Sequence, residues 1–302
     1  MRYGDMITFG FSNAWKYKSL WILGFFAAGG SGGFNFRLPG SSAKLDTFPT
    51  EIFDSILANP LLIIALVGFL LLIMAIFLVL HFIAEGGLMD AARRFKNNEP
   101  YTLGASFGVG VSNFWPLLGL GILFFVVAIA FLVVLVAIGF IAYQISVIML
   151  IFALLFLIPI MLIGFFFIGM IYTVAQRKVV LDKNPVFDAI SNATDLLKKN
   201  PGSMIAFFFL NLGLSIAVGI VVTIVMLAIL APFVGIWFIH HWLAILTGLP
   251  VLLAVGVLLG GYFGSSLNLM ATEFYFQLTN LPVGAPANAM TPPPDTPAPQ
   301  FE

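Results

Sequence analysis

The stretch LLIIALVGFLLLIMAIFLVL, residues 61–80, decides the fold. A helix rises 1.5 Å per residue, so about 20 such residues span the ~30 Å hydrocarbon core of a bilayer. In hydrocarbon every backbone N–H and C=O must find its partner within the protein, and a helix does this by itself. Working outward, no Asp, Glu, Lys or Arg occurs between Asp54 and Glu85. From Pro100 to Gln176 there is again no formal charge, long enough for two spans divided at Tyr143-Gln144 and Ser146. The pattern recurs from Pro201 to Thr272, broken near Ala231-Pro232 and the His240-His241 pair. A first span is expected over Ser19 to Phe36, a short charge-free segment containing Gly29, Gly30, Gly32 and Gly33.

Composition agrees, with 9% charged and 61% hydrophobic residues and a mean hydropathy of +1.09. A soluble domain carries roughly 25% charged residues and has no means of hiding this much apolar surface. Thirteen Lys and Arg balance thirteen Asp and Glu, which gives no reason to expect nucleic acid as a partner. With no Cys, disulfides, thiolate chemistry and Cys-type zinc sites are excluded. His81, His240 and His241 lack any metal-ligand spacing, so no metal and no cofactor is expected.

The distribution of charge sets the topology. Arg2, Lys16 and Lys18 precede the first segment; Arg93, Arg94 and Lys96 follow the second; Arg177, Lys178, Lys183, Lys198 and Lys199 lie between the fourth and fifth. Only Arg37 and Lys44 fall on the other side, offset by Asp46, Glu51 and Asp54. Placing eleven of thirteen cations on one face requires two crossings before Arg93. The positive-inside rule then predicts six spans in the cytoplasmic membrane, with both termini cytoplasmic. A cleavable signal peptide ending near Ala28 and Gly30 is the rival reading, but an 18-residue lead is long for its charged region.

Internal echoes suggest a repeated unit. Pro100, Ser106 and Pro116 recur 85 residues later as Pro185, Ser191 and Pro201. Gly10-Phe11-Ser12-Asn13-Ala14-Trp15 is echoed 100 residues on by Gly110-Val111-Ser112-Asn113-Phe114-Trp115. The expected fold is therefore an all-α polytopic transmembrane bundle over residues 1–279, six spans in three hairpin modules (roughly 1–98, 99–183 and 184–279), each led by a short cytoplasmic interfacial helix. The third such helix should have Asn184 as N-cap, Pro185 at its first position, and an apolar face of Phe187, Ile190, Ala193 and Leu197. Asp188, Asn192 and Asp195 mark its polar face, and Lys198 and Lys199 suit the negative end of its dipole. A brief surface helix is expected over Thr50 to Leu57, and a disordered Pro-rich tail over residues 280–302.

Within the membrane, Asn211, Ser215, Gly219 and Thr223 recur every four residues in the fifth span, as do Gly256, Gly260, Gly264 and Asn268 in the sixth. A hairpin centred at Ile239-His240 pairs them at equal depth, Asn211 with Asn268 and Ser215 with Gly264. Close packing is the expectation, a homo-oligomer interface or a lined cavity the alternative. His81 and Glu85, four apart, and Glu273 at the matching end of the sixth span are ionisable groups at the membrane edge, read as caps within reach of water, with a proton relay or a cation site the alternative. His240 and His241, between Trp237 and Trp242, read as an interfacial aromatic belt.

The opening Phe11-Ser12-Asn13-Ala14-Trp15 with Leu20-Trp21-Ile22-Leu23-Gly24, the stretch Glu85-Gly86-Gly87-Leu88-Met89-Asp90-Ala91, and Pro185-Val186-Phe187-Asp188-Ala189 carry a family resemblance. The chain resembles a loose group of poorly characterised prokaryotic six-span membrane proteins, including the membrane domain of some bacterial glycerophosphodiester phosphodiesterases. The resemblance implies no catalytic residues here, because such a phosphodiesterase needs a separate domain with its own His and acidic ligands. The expected role is a non-enzymatic membrane module that contacts the lipid bilayer and serves assembly, anionic lipid or a membrane protein partner. A small-solute or lipid transporter is the alternative, motivated by internal repeats and the polar seam.

Overall fold

The computed structural model describes residues 2–30 and 59–279. Among these residues the chain forms nine helices and no strand: α1 (Tyr3–Lys16), α2 (Leu20–Gly30), α3 (Pro60–Lys96), α4 (Leu103–Ser112), α5 (Phe114–Ile145), α6 (Val147–Leu181), α7 (Val186–Lys199), α8 (Pro201–Ile239) and α9 (His241–Thr279). Five of them, α3, α5, α6, α8 and α9, are long and apolar enough to cross a membrane. The expected first span is helical over Leu20–Gly30, too short by itself to cross, and its remainder to Phe36 lies outside the described residues. Residues 31–58, among them the helix expected at Thr50 to Leu57, and the Pro-rich tail also lie outside them.

Local chemistry explains the helix limits. Asn59 caps α3 by accepting from the Leu61 N–H at 3.1 Å, with Pro60 at the first position. Ser146 alone separates α5 from α6 and caps the latter, its hydroxyl accepting from the Met149 N–H at 3.0 Å. α8 and α9 break at His240, and Pro232 and Pro250 stay within the helices. The helix α7 starts one residue later than expected, at Val186, with Pro185 rather than Asn184 in the cap position. Its buried stripe is Ala189, Ala193 and Leu197, whereas Phe187 points outward.

Three of the long helices, α3, α6 and α9, are divided along their length. In α3 all residues from Pro60 to Val79 except Ile63 are exposed, on every face of the helix; from His81 to Ala92 all but Glu85 are buried. In α6 no residue before Met170 is buried, and in α9 no residue from Gly260 onward is exposed. A 37-residue helix such as α3 is ~55 Å long, almost twice a bilayer core. Its exposed half has the length and chemistry of a lipid-facing span, and its other half belongs to a packed base. Rows of exposed Leu, Ile, Val and Phe of this extent have no place in water.

The base is built from the C-terminal halves of α3, α6 and α9, which contact one another, ringed by the short helices. α4 packs on α3, α7 on α6, and α1 on α9, so the first of the described helices closes on the last. The two echoed motifs adopt the same geometry. Asn13 donates to the Phe9 carbonyl at 2.9 Å, and Asn113 to the Val109 carbonyl at 2.7 Å. Gly10 lies so near the Ser266 carbonyl, and Gly110 so near the Ile83 carbonyl, that a Cβ at either would collide with backbone. Trp15 and Trp115 are both exposed.

A second close crossing joins α2 to α9. Any Cβ on Gly24 would strike the Gly261 carbonyl, and one on Gly264 would strike the Gly24 carbonyl. This corrects the expected pairing of Gly264 with Ser215. Ser215, Gly219 and Thr223 are exposed, and the Thr223 hydroxyl donates to its own helix at the Gly219 carbonyl, 2.7 Å away. Gly256 does face α8, with Met226 as its neighbour, and Gly260 is buried. Trp237 and Trp242 are exposed at the far turn, flanking His240.

Candidate functional site at the junction of the long helices

Among the described residues the base collects nearly all of the charge that the spans exclude, and much of it is buried or half-buried. Asp90, 1% exposed, accepts from Arg93 Nη2 at 2.6 Å, Arg94 Nε at 2.7 Å and the Ser106 hydroxyl at 3.0 Å, tying α3 to α4. Glu273 on α9 accepts from Lys96 Nζ of α3 at 2.6 Å and from Gln277 Nε2 at 3.1 Å. Asp182, just past α6, accepts from the Tyr275 hydroxyl of α9 at 2.6 Å and lies 3.4 Å from Lys178. Lys183 donates to Asn113 Oδ1 at 3.1 Å. Desolvation, then the neighbouring Arg93, pulls the Lys183 ammonium below its ordinary value. Lys183 and Asn98 both have positive φ, 57° and 56°, and stand 85 residues apart at the ends of α6 and α3.

At the centre, His81 and Glu85 do not sit as separate caps in water. His81 Nε2 lies 3.8 Å from Glu85 Oε2, and their side chains are only 10% and 13% exposed. Gln176 of α6 donates to the same Glu85 oxygen at 2.5 Å. His81 Nδ1 lies 3.2 Å from the Phe26 carbonyl of α2. A carbonyl only accepts, so in this contact Nδ1 is the donor, and Nε2 faces Glu85 at ion-pair rather than hydrogen-bond distance. Next to them Arg177 is 3% exposed. Its Nη1 donates to Thr173 O at 2.6 Å and its Nη2 to Asn268 O at 3.4 Å. Arg177 Nε and Asn268 Oδ1 are both buried without a partner, so Asn268 Oδ1 does not accept from Asn211 as the hairpin register anticipated.

The sequence pointed to His81, Glu85 and Glu273, and the structure places all three in the base, Glu273 with Lys96 and the other two together. It did not single out Asp90, Gln176, Arg177 or Asp182. Arg177 was counted as a flanking cation, since a Lys or Arg after a span ordinarily reaches water. The available signal was length: α6 continues beyond any plausible bilayer edge, so residues on its inner face there must be enclosed by protein. The surrounding packing is apolar and aromatic, including Phe207 stacked on Phe274 at 3.9 Å between α8 and α9. Chemically the arrangement is a set of interhelical clamps. Among the described residues no three His, Asp or Glu side chains gather closely enough to hold a metal ion.

Residues 9–283 match the model of a protein family described as a family of unknown function, DUF7544. No curated protein and no solved structure matches the chain. The family description names no phosphodiesterase.

Proposed function

From the premise that the chain belongs to DUF7544, a family of unknown function, we propose that it is a non-enzymatic, multi-pass module of the cytoplasmic membrane that serves assembly and lipid contact. One observation carries this reading. The carboxylates of Glu85, Asp90, Asp182 and Glu273 in the base are each engaged by a cation, amide or hydroxyl, and each links two elements of the fold. Groups tied up in this way serve rigidity and are not disposed to attack or protonate a substrate. The exposed surface, in contrast, is almost wholly apolar along five helices and offers broad area to lipid or to other spans.

Three modules, each a short helix followed by two spans, account for the order of the described helices and for the shared Asn and Gly geometry of α1 and α4. The gathering of Arg2, Lys96, Lys178 and Lys183 in one base supports a reading with both termini in the cytoplasm. Reporter fusions at Asn97 and at Lys183 are expected to be read on the cytoplasmic side together. Opposite sides would overturn the topology. Crosslinking in native membranes is expected to give a discrete adduct larger than the monomer, through the exposed spans. A chain recovered only as monomer, with solute flux in reconstituted vesicles, would replace the module by the transporter.

A further inference from the structure

Among the short helices, α4 is unlike α7. α7 turns Asp188 and the end-of-helix Lys198 and Lys199 outward, as a helix between headgroups and water does. α4 carries no charge from Leu103 to Ser112. Its inner side, Ser106 and Gly110, is buried on α3, but its outer side presents Phe107 at 39% and Val111 at 48% exposure. An apolar outer face on an otherwise well-packed helix calls for apolar surroundings.

Beside that face lies a cleft of about 290 Å³ between α2, α3 and α4, bounded by Leu23, Phe26, Leu80, Ala84, Gly104 and Phe107. Its walls present almost only carbon. Leu80 is the residue at which α3 passes from exposed on all faces to buried, so the cleft opens at the level where the lipid-facing surface meets the base. Its rim is continuous with exposed Ile22 on α2 and Val79 on α3. Water gains nothing in such a space, and the nearest apolar material is hydrocarbon. The volume is at the lower edge of the ~300–1,000 Å³ typical of ligand pockets, suited to the end of one chain and too small for a whole lipid.

The geometry points to a bound phospholipid whose acyl chain enters the cleft between α2, α3 and α4, lying under the outer face of α4. This deepens the lipid contact proposed above and rests on that reading. The lipid completes the packing of α4 on the base and makes the α2–α3–α4 corner a fixed lipid site, distinct from the transient contacts of the exposed spans.

The test uses the full chain in bilayer nanodiscs containing a phosphatidylcholine with a photoactivatable diazirine near the end of one acyl chain. Adducts are mapped by mass spectrometry. In the wild-type chain, labelling at Leu103–Phe107 and Leu23–Phe26 is expected to exceed that at Phe125 on the exposed part of α5 by about tenfold. Gly104→Phe introduces a side chain whose Cβ meets nothing within 4 Å. It is expected to fill the cleft and remove that excess while leaving labelling at Phe125 unchanged. Equal labelling at the cleft and at Phe125 in the wild-type chain overturns the lipid site, whether or not the variant folds. So does an excess that survives in a folded Gly104→Phe. Absence of label at Phe125 itself would instead sink the membrane reading on which the proposal stands.

Discussion

Gly24→Leu is expected to abolish recovery of the folded protein, or to lower its melting temperature on the order of 10 °C in detergent. The α2–α9 crossing brings backbone against backbone: a Cβ at Gly24 would overlap the Gly261 carbonyl and crowd Ser265, and neither is the end of a flexible side chain. Neither helix can yield alone. α2 is also held to α3 through the Phe26 carbonyl and His81, and α9 is held to α1 by the Gly10–Ser266 contact. Overpacking of this kind costs about 3 kcal/mol or more. Gly213→Leu on α8 is the control, because a Cβ there meets nothing within 4 Å. Equal thermal stability of the two variants, measured by unfolding fluorescence, would show that the crossing does not hold the fold together.

Asp90→Ala is the second large effect. Its carboxylate is 1% exposed and answers two guanidinium groups and one hydroxyl at once. Removing it takes from Arg93 and Arg94 the counter-charge they share, leaving Arg94 only Glu99, and leaves the Ser106 hydroxyl without its acceptor. Breaking a buried pair from one side typically costs 3–5 kcal/mol. Arg93 and Arg94 keep 40% and 20% of their side chains in contact with solvent, which relieves part of the penalty. The expected loss is about 3 kcal/mol. Ser106→Ala should cost only about 1 kcal/mol, since the carboxylate keeps both arginines. Proteolysis of the α3–α4 connection near Glu99 offers a local readout. Unchanged cleavage in Asp90→Ala, with unchanged melting, would mean that α4 is seated by its glycine contacts alone.

The residues that made the fold legible were those whose chemistry acts over one span. Leu61 to Leu80 needs no tertiary information to be read as membrane-crossing, and Ser146 marks the hairpin between α5 and α6 by its cap. The echo of Gly10 and Asn13 in Gly110 and Asn113 was visible as letters and corresponds to the same local bonds. Partner choice was not legible. The glycines at 256, 260 and 264 were assigned to the helix next in sequence, which is the natural partner in a hairpin. In the fold, Gly261 and Gly264 face α2, a helix from the other end of the chain. Small residues announce a close approach and do not say to whom. Arg177 was obscured for a related reason: its burial depends on three helices meeting around it, and no local pattern records that convergence.

The closure of α1 onto α9 has a consequence for biosynthesis. Gly10 finds its seat only when Ser266 and Met270 have been made and inserted, so α1 must wait at the membrane for α9. Until then the apolar side of α1 and the glycine face of α2 stand open to other chains and to the insertion machinery. Ribosomes stalled before α9 should therefore leave α1 protease-sensitive, and insertion of α9 should be the event that locks it.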